Sequence, residues 1–204
     1  SSGQPNEPPV ADFAWEAAEL GEGRMIRFRD RSTDLEDELV EWKWEHDGLQ
    51  GATGLNPSFK ATSTEQDPWF VLPDDGPVTV KLTVTDKEGA TATVEKIVQI
   101  GNLAPEAYLA DQTAQAGQPA FLTYSVMDTG DQDKRTLHVR IESSNPDWKT
   151  VERTQAAGMS SDLSFTLPAG TYPLTLTVTD ADGASSSEEA LLTVIAEPPS
   201  PPTD

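Results

Sequence analysis

Two aspartates stand at matching places in this chain. Asp86 sits within LTVTDKEGA, Leu82 to Ala90, and Asp180 within LTVTDADGA, Leu176 to Ala184. Hard oxygen donors surround both in sequence. The first copy of the repeat offers Asn6, Ser32, Asp34, Glu36 and Asp37, and the second offers Asn102, Asp128, Asp131 and Asp133. Carboxylates, hydroxyls and amide oxygens of this kind suit a hard cation such as calcium, which takes about six to eight oxygen ligands. They also suit plain turn chemistry. There an aspartate accepts backbone N–H bonds, and a following glycine supplies the positive φ. For Asp86 and Asp180 both readings stay open at this level.

Catalytic chemistry finds little support. The two histidines, His46 and His138, are not at equivalent positions of the repeat, and there is no cysteine. Disulfides, zinc–cysteine sites and thiol nucleophiles are therefore excluded. No GxSxG, HExxH or phosphate-loop pattern occurs. Paired acids for glycoside chemistry would need a cleft between them, which small sandwiches rarely supply. No residue is assigned a catalytic role, and the chain reads as a non-enzyme. Among the aromatics, Trp69 and Trp148 are the candidate ligand-binding residues. An exposed indole stacks on a sugar ring or on a partner's aromatic ring. Trp42 and Trp44 lie two apart on one side of a strand, Trp15 alternates with Phe13, and these are expected to pack inward.

Net charge is −21, from 35 acidic and 14 basic residues. Such a surface repels nucleic-acid phosphates and anionic lipid and favours cations. Most of these carboxylates are expected simply to be solvated. No apolar run is long enough for a membrane helix, so no membrane insertion is expected in this segment.

The elements that must position these residues read as strands. Val78, Val80, Leu82 and Val84 alternate with Thr79, Lys81, Thr83 and Thr85, as do Tyr172, Leu174, Leu176 and Val178 with Pro173, Thr175, Thr177 and Thr179. That is the period of a half-buried strand. Further strands are expected near 10–16, 24–30, 39–46, 68–72 and 90–100, then near 105–110, 119–127, 136–143, 163–167 and 184–195. AWEAAEL, Ala14 to Leu20, reads as strand and turn rather than helix, because Gly21 and Gly23 follow at once. With 14 Gly and 16 Pro punctuating it, the pattern is all-β, two tandem immunoglobulin-like antiparallel β-sandwiches. The expected boundaries are a linker over 1–8, sandwiches over 9–101 and 102–196, and a Pro-rich linker over 197–204. The flanks read as spacers inside a longer protein.

The motifs also carry a family. NEPPVADF (Asn6 to Phe13), STDLEDELVEWKWEHDG (Ser32 to Gly48), LNPSF (Leu55 to Phe59) and VKLTVTDKEG occur in order and together resemble the polycystic kidney disease (PKD) domain. The second copy is a looser match. It keeps NLAPEA (Asn102 to Ala107), DQTAQAGQ (Asp111 to Gln118) and GTYPLTLTVTDADG (Gly170 to Gly183), with LHVRI (Leu137 to Ile141) in place of the Trp-x-Trp strand.

The resemblance implies an immunoglobulin-like sandwich of extracellular bacterial or archaeal proteins, secreted or at the cell surface, with a lipid anchor upstream as one arrangement. It implies a spacer or interaction module that presents neighbouring domains of its parent protein. The alternative it leaves is an accessory module of a secreted hydrolase, or an adhesin segment, that binds polysaccharide or extracellular protein fibre. It also implies calcium as the cofactor. In such a sandwich the start of the first strand, the loop between the second and third strands and the turn after the sixth lie at one end. The implied metal ligands are Asn6, Ser32, Asp34 and Asp86, with Glu36 where the family has Asp. In the second copy they are Asn102, Asp131, Asp133 and Asp180, which would place that site at the junction of the two domains.

Overall fold

A computed structural model describes residues 5–36, 38–48, 60–130, 136–158 and 160–197, the side chains of 60–62, 160 and 161 excepted. The chain divides into two units, Ser1–Asn102 and Leu103–Asp204. Each is an all-β sandwich with its own core.

In the first unit the strands are β1 (Phe13–Glu16), β2 (Met25–Asp30), β3 (Leu39–His46), β4 (Lys60–Ser63), β5 (Trp69–Val71), β6 (Gly76–Asp86) and β7 (Thr91–Ile100). They form a three-stranded sheet ordered β1-β2-β5 and a four-stranded sheet ordered β4-β3-β6-β7. All pairings of named strands here are antiparallel. The alternation in β6 is visible as Val78, Val80, Leu82 and Val84, each at most 3 % exposed. Opposite them an aromatic cluster fills the space between the sheets. Phe13 meets Trp44 edge-on with centroids 5.2 Å apart, and Phe28 lies 5.1 Å from Phe70. Such pairs add specific geometry to area burial. A bulge between Leu39 and Glu41 shifts the β3–β6 register. It turns Val40 outward, 48 % exposed, while Trp42 and Trp44 keep facing the core. This is how one extra residue is absorbed without inverting a strand.

The second unit comprises β8 (Glu106–Leu109), β9 (Gln112–Gln115), β10 (Ala120–Met127), β11 (Leu137–Ser143), β12 (Val151–Gln155), β13 (Ser160–Phe165), β14 (Gly170–Thr179) and β15 (Ser185–Ile195). Its sheets are ordered β13-β10-β8 and β12-β11-β14-β15-β9. The β9–β15 pair is parallel. Leu174, Leu176 and Val178 occupy the core places that Val80, Leu82 and Val84 fill in the first unit. Tyr172, fully buried at the start of β14, donates its hydroxyl to the Pro168 carbonyl at 2.9 Å. This resembles the tyrosine corner of immunoglobulin sandwiches.

Most expected strands are present within a residue or three of their expected bounds. Three short ones were not anticipated: β4, β9 and β12. The Asn56-Pro57 turn of the family pattern lies outside the described residues.

Candidate metal centre

The end of the first unit that carries Asp86 is assembled by backbone pairing. Val10 and Thr33 exchange hydrogen bonds at 2.8 and 3.0 Å, which lays the incoming chain beside the β2–β3 loop. Lys87 N donates to the Glu38 carbonyl at 3.0 Å, which brings the β6–β7 turn to the other side of that loop. Three separate segments thus meet at one end of the sandwich.

Asp86 is 1 % exposed. Its Oδ1 accepts the N–H groups of Glu88 at 2.9 Å and Ala90 at 2.8 Å, so it shapes the tight turn. Its Oδ2 accepts the side-chain amide of Asn6 at 2.8 Å. The amide of Asn6, more than any other group, holds the Asp86 carboxyl below the usual range. Burial opposes that shift, and the N–H groups of Ala90, Glu88 and Gly89 reinforce it. Asn6 Oδ1 is buried and has no hydrogen-bond partner among the described residues. Asp34 Oδ1 accepts the Glu36 N–H at 3.0 Å, and its Oδ2 is buried.

Ser32 plays another part. Its hydroxyl accepts the Asp12 N–H at 3.1 Å and donates to the Asp12 carbonyl at 3.2 Å. It braces the approach to β1, and both of these bonds run to Asp12. Glu36 is exposed, and Asp37 lies outside the described residues. The arrangement therefore unites Asn6 with Asp86 directly and sets Asp34 on the adjoining loop. All its donors are oxygens and one acceptor is orphaned, which suits a hard cation.

In the second unit Asp180 is 6 % exposed, and its Oδ1 accepts the Ala184 N–H at 2.8 Å. Asp128, also buried, accepts the Gly130 N–H at 3.2 Å. Turn chemistry is thus real at both repeated aspartates. Asp131 and Asp133 lie outside the described residues, and Asn102 belongs to the first unit.

The acidic cluster that does form among the described residues is elsewhere. One carboxylate oxygen from each of Glu22, Asp74 and Asp75 lies within 4.8 Å of the others. Glu22 sits in the β1–β2 turn and is fully buried, and Asp74 and Asp75 precede β6. Sequence reasoning missed it because the acids are far apart in the chain. The visible signal was glycine beside acid, in Gly21-Glu22-Gly23 and Asp75-Gly76.

The two candidate tryptophans separate. Trp69 is 49 % exposed on the outer face of β5. The Arg27 guanidinium lies 5.2 Å from its ring centroid. The neighbouring rung, Met25 opposite Val71, is exposed too. Trp148 is buried. Its indole N–H donates to the Ile141 carbonyl at 3.2 Å, and its ring packs 6.1 Å from Phe165. It offers no open ring face, so the expectation of an exposed binding residue there is corrected.

No family model and no curated protein matches the sequence. Solved structures do. The PKD1 domain of Vibrio anguillarum Epp is 29 % identical over 47 % of this chain and 96 % of its own, with a TM-score of 0.36. The PKD1 domain of the Vibrio cholerae metalloprotease PrtV is 24 % identical over 47 % of this chain and all of its own, with a TM-score of 0.37. Over about half its length the chain is similar to PKD domains. A tetra-tandem repeat from the extending region of a large adhesion protein is 14 % identical over 91 % of this chain and 50 % of its own, with a TM-score of 0.43.

Proposed function

We propose that the chain is a non-catalytic module of a larger secreted or cell-surface protein, which spaces and orients its neighbouring domains. The observation that carries this reading is the anchoring of the incoming segment. Residues 6–10 are tied to the first sandwich at Asn6–Asp86 and at Val10–Thr33. A domain upstream would inherit that direction. Calcium belongs to the same reading. Asn6, Asp34 and Asp86 would hold it, and the bound ion would cross-link the three segments electrostatically. Asp180 is the corresponding place in the second unit.

The test is small-angle scattering of the full chain joined to a rigid upstream domain, together with calorimetric calcium titration. A narrow distribution of distances between the upstream domain and the first unit is expected, narrower with calcium than with EDTA. A broad distribution under both conditions sinks the spacer reading. No heat at millimolar calcium removes the metal from it.

A second reading is favoured by one observation. Trp69, Met25 and Val71 form an exposed apolar block on one sheet face. This suits an accessory module that binds polysaccharide or protein fibre. Retention on chitin, cellulose, agar or collagen that disappears in Trp69→Ala would support it. Retention on none of them would count against it.

A further inference from the structure

The first unit holds its incoming segment with an amide rather than a charge. Residues 5–10 read Pro-Asn-Glu-Pro-Pro-Val. Three prolines have no N–H to give, so the segment cannot continue as a paired strand. Among the described residues, Asn6 makes the one hydrogen bond found in residues 5–9, and it reaches 80 positions along the chain to Asp86 Oδ2. Only at Val10 does backbone pairing begin.

We propose that Asn6 is a cation-independent latch: its amide fixes the incoming segment to the β6–β7 turn, and a carboxylate in its place would make that attachment depend on a divalent cation.

The argument runs on what Asp86 needs. The carboxylate is buried, and a buried charge must have donors on both oxygens. The turn satisfies Oδ1 from within, through Glu88 and Ala90. Asn6 supplies the donor to Oδ2 from outside the turn. Alanine at position 6 leaves that oxygen without the donor. Aspartate there sets two carboxylates at hydrogen-bond distance in a poorly solvated place, where like charges repel strongly. A cation between them would remove the repulsion. Asparagine supplies the N–H without a charge and leaves its own oxygen to spare, since Asn6 Oδ1 has no partner among the described residues.

The latch concerns the same segment as the spacer reading, but it holds whether or not calcium binds. The probe is amide hydrogen exchange of the full chain in EDTA and in millimolar calcium. The reporter is Val10, whose N–H bonds the Thr33 carbonyl at 2.8 Å. Val84, fully buried in β6, reports whether the unit remains folded. In the native protein Val10 should already be protected in EDTA. Asn6→Ala should exchange at Val10 roughly tenfold faster or more in both, with Val84 unchanged. Asn6→Asp should exchange fast in EDTA and slowly in calcium. Native protection that appears only with calcium overturns the latch. So does an Asn6→Ala protein that keeps Val10 protected. An Asn6→Asp protein that is protected in EDTA, or that calcium fails to restore, overturns the claim about the carboxylate. A native protein that binds no calcium defeats the calcium reading and leaves the latch standing.

Discussion

Lys96 Nζ lies 2.6 Å from Asp12 Oδ1 and 2.6 Å from the Phe13 carbonyl oxygen. Its strand, β7, ends the four-stranded sheet of the first unit, and β1 ends the three-stranded one. The lysine therefore joins the two sheets across the open side of the sandwich. Its ammonium also rests 5.1 Å from the Phe13 ring centroid.

An inward-pointing lysine on an edge strand also discourages pairing with another chain. In the second unit β9 covers part of the equivalent strand, β15, over Leu192–Ile195. Among the described residues β7 has no such neighbour. Lys96→Val should leave β7 a ten-residue edge without its inward charge. Soluble oligomers that grow with concentration are expected, measured by size exclusion with light scattering. A variant that stays monomeric at high concentration would show that Lys96 does not guard the edge.

The same ion pair sets an acid limit. Its hydrogen bond to Lys96 is the largest influence holding the Asp12 carboxyl below the usual range, against the opposing effect of burial. A carboxyl depressed in the folded state contributes stability above its unfolded pKa, about 4. That stability is lost as pH falls through the lower folded value. The melting temperature should therefore hold near neutral pH and begin to drop below about pH 4. Lys96→Met removes the cation, and the acid slope should be shallower than in the native protein. Melts recorded from neutral pH downwards check this; parallel slopes in the two proteins would refute it.

The tryptophans make a stability contrast. Trp148→Ala opens a cavity beside Phe165 and removes the indole donor from the Ile141 carbonyl. A loss of about 3–5 kcal/mol is expected. Trp69→Ala removes an exposed ring and its Arg27 contact, for a loss below about 1 kcal/mol. Urea unfolding of the full chain measures both. Similar losses would mean that Trp69 is more deeply packed than its exposure indicates.

Legibility in the sequence followed the physics of each element. The hairpins β6–β7 and β14–β15 were readable because their inner and outer faces differ in polarity over ten residues or so. The strands β4, β9 and β12 are short and lie at sheet margins. There KATS, QTAQ and VERTQ alternate too weakly to announce a buried side. At the candidate site, Asp86 was readable because a turn aspartate followed by glycine is a local pattern. The use of Ser32 was not, because its partner Asp12 is brought near only by the β1–β2 pairing. Trp148 misled because its flanks, Ser143 to Thr150, are polar, while its indole N–H finds a carbonyl inside the fold. The Glu22–Asp74–Asp75 cluster exists only once the β1–β2 and β5–β6 turns are neighbours.

Tyr172 gives a prediction in two parts. Its ring is fully buried, and its hydroxyl holds the Pro168 carbonyl at 2.9 Å. At neutral pH Tyr172→Phe leaves that carbonyl without its donor, and a loss of about 1–2 kcal/mol is expected. Alkaline pH erodes the advantage. Burial, more than the nearby charge of Asp147, pushes the Tyr172 phenol above its ordinary value. An acid whose folded pKa is raised contributes stability below its unfolded pKa, about 10 for tyrosine. That contribution is lost as pH rises from there towards the folded value. The native protein should therefore lose stability above about pH 10 faster than Tyr172→Phe, and the gap between them should narrow. Urea midpoints of both proteins at neutral pH and at increasing alkaline pH give the comparison. A gap that stays constant across that range would mean the phenol ionises no less readily when folded.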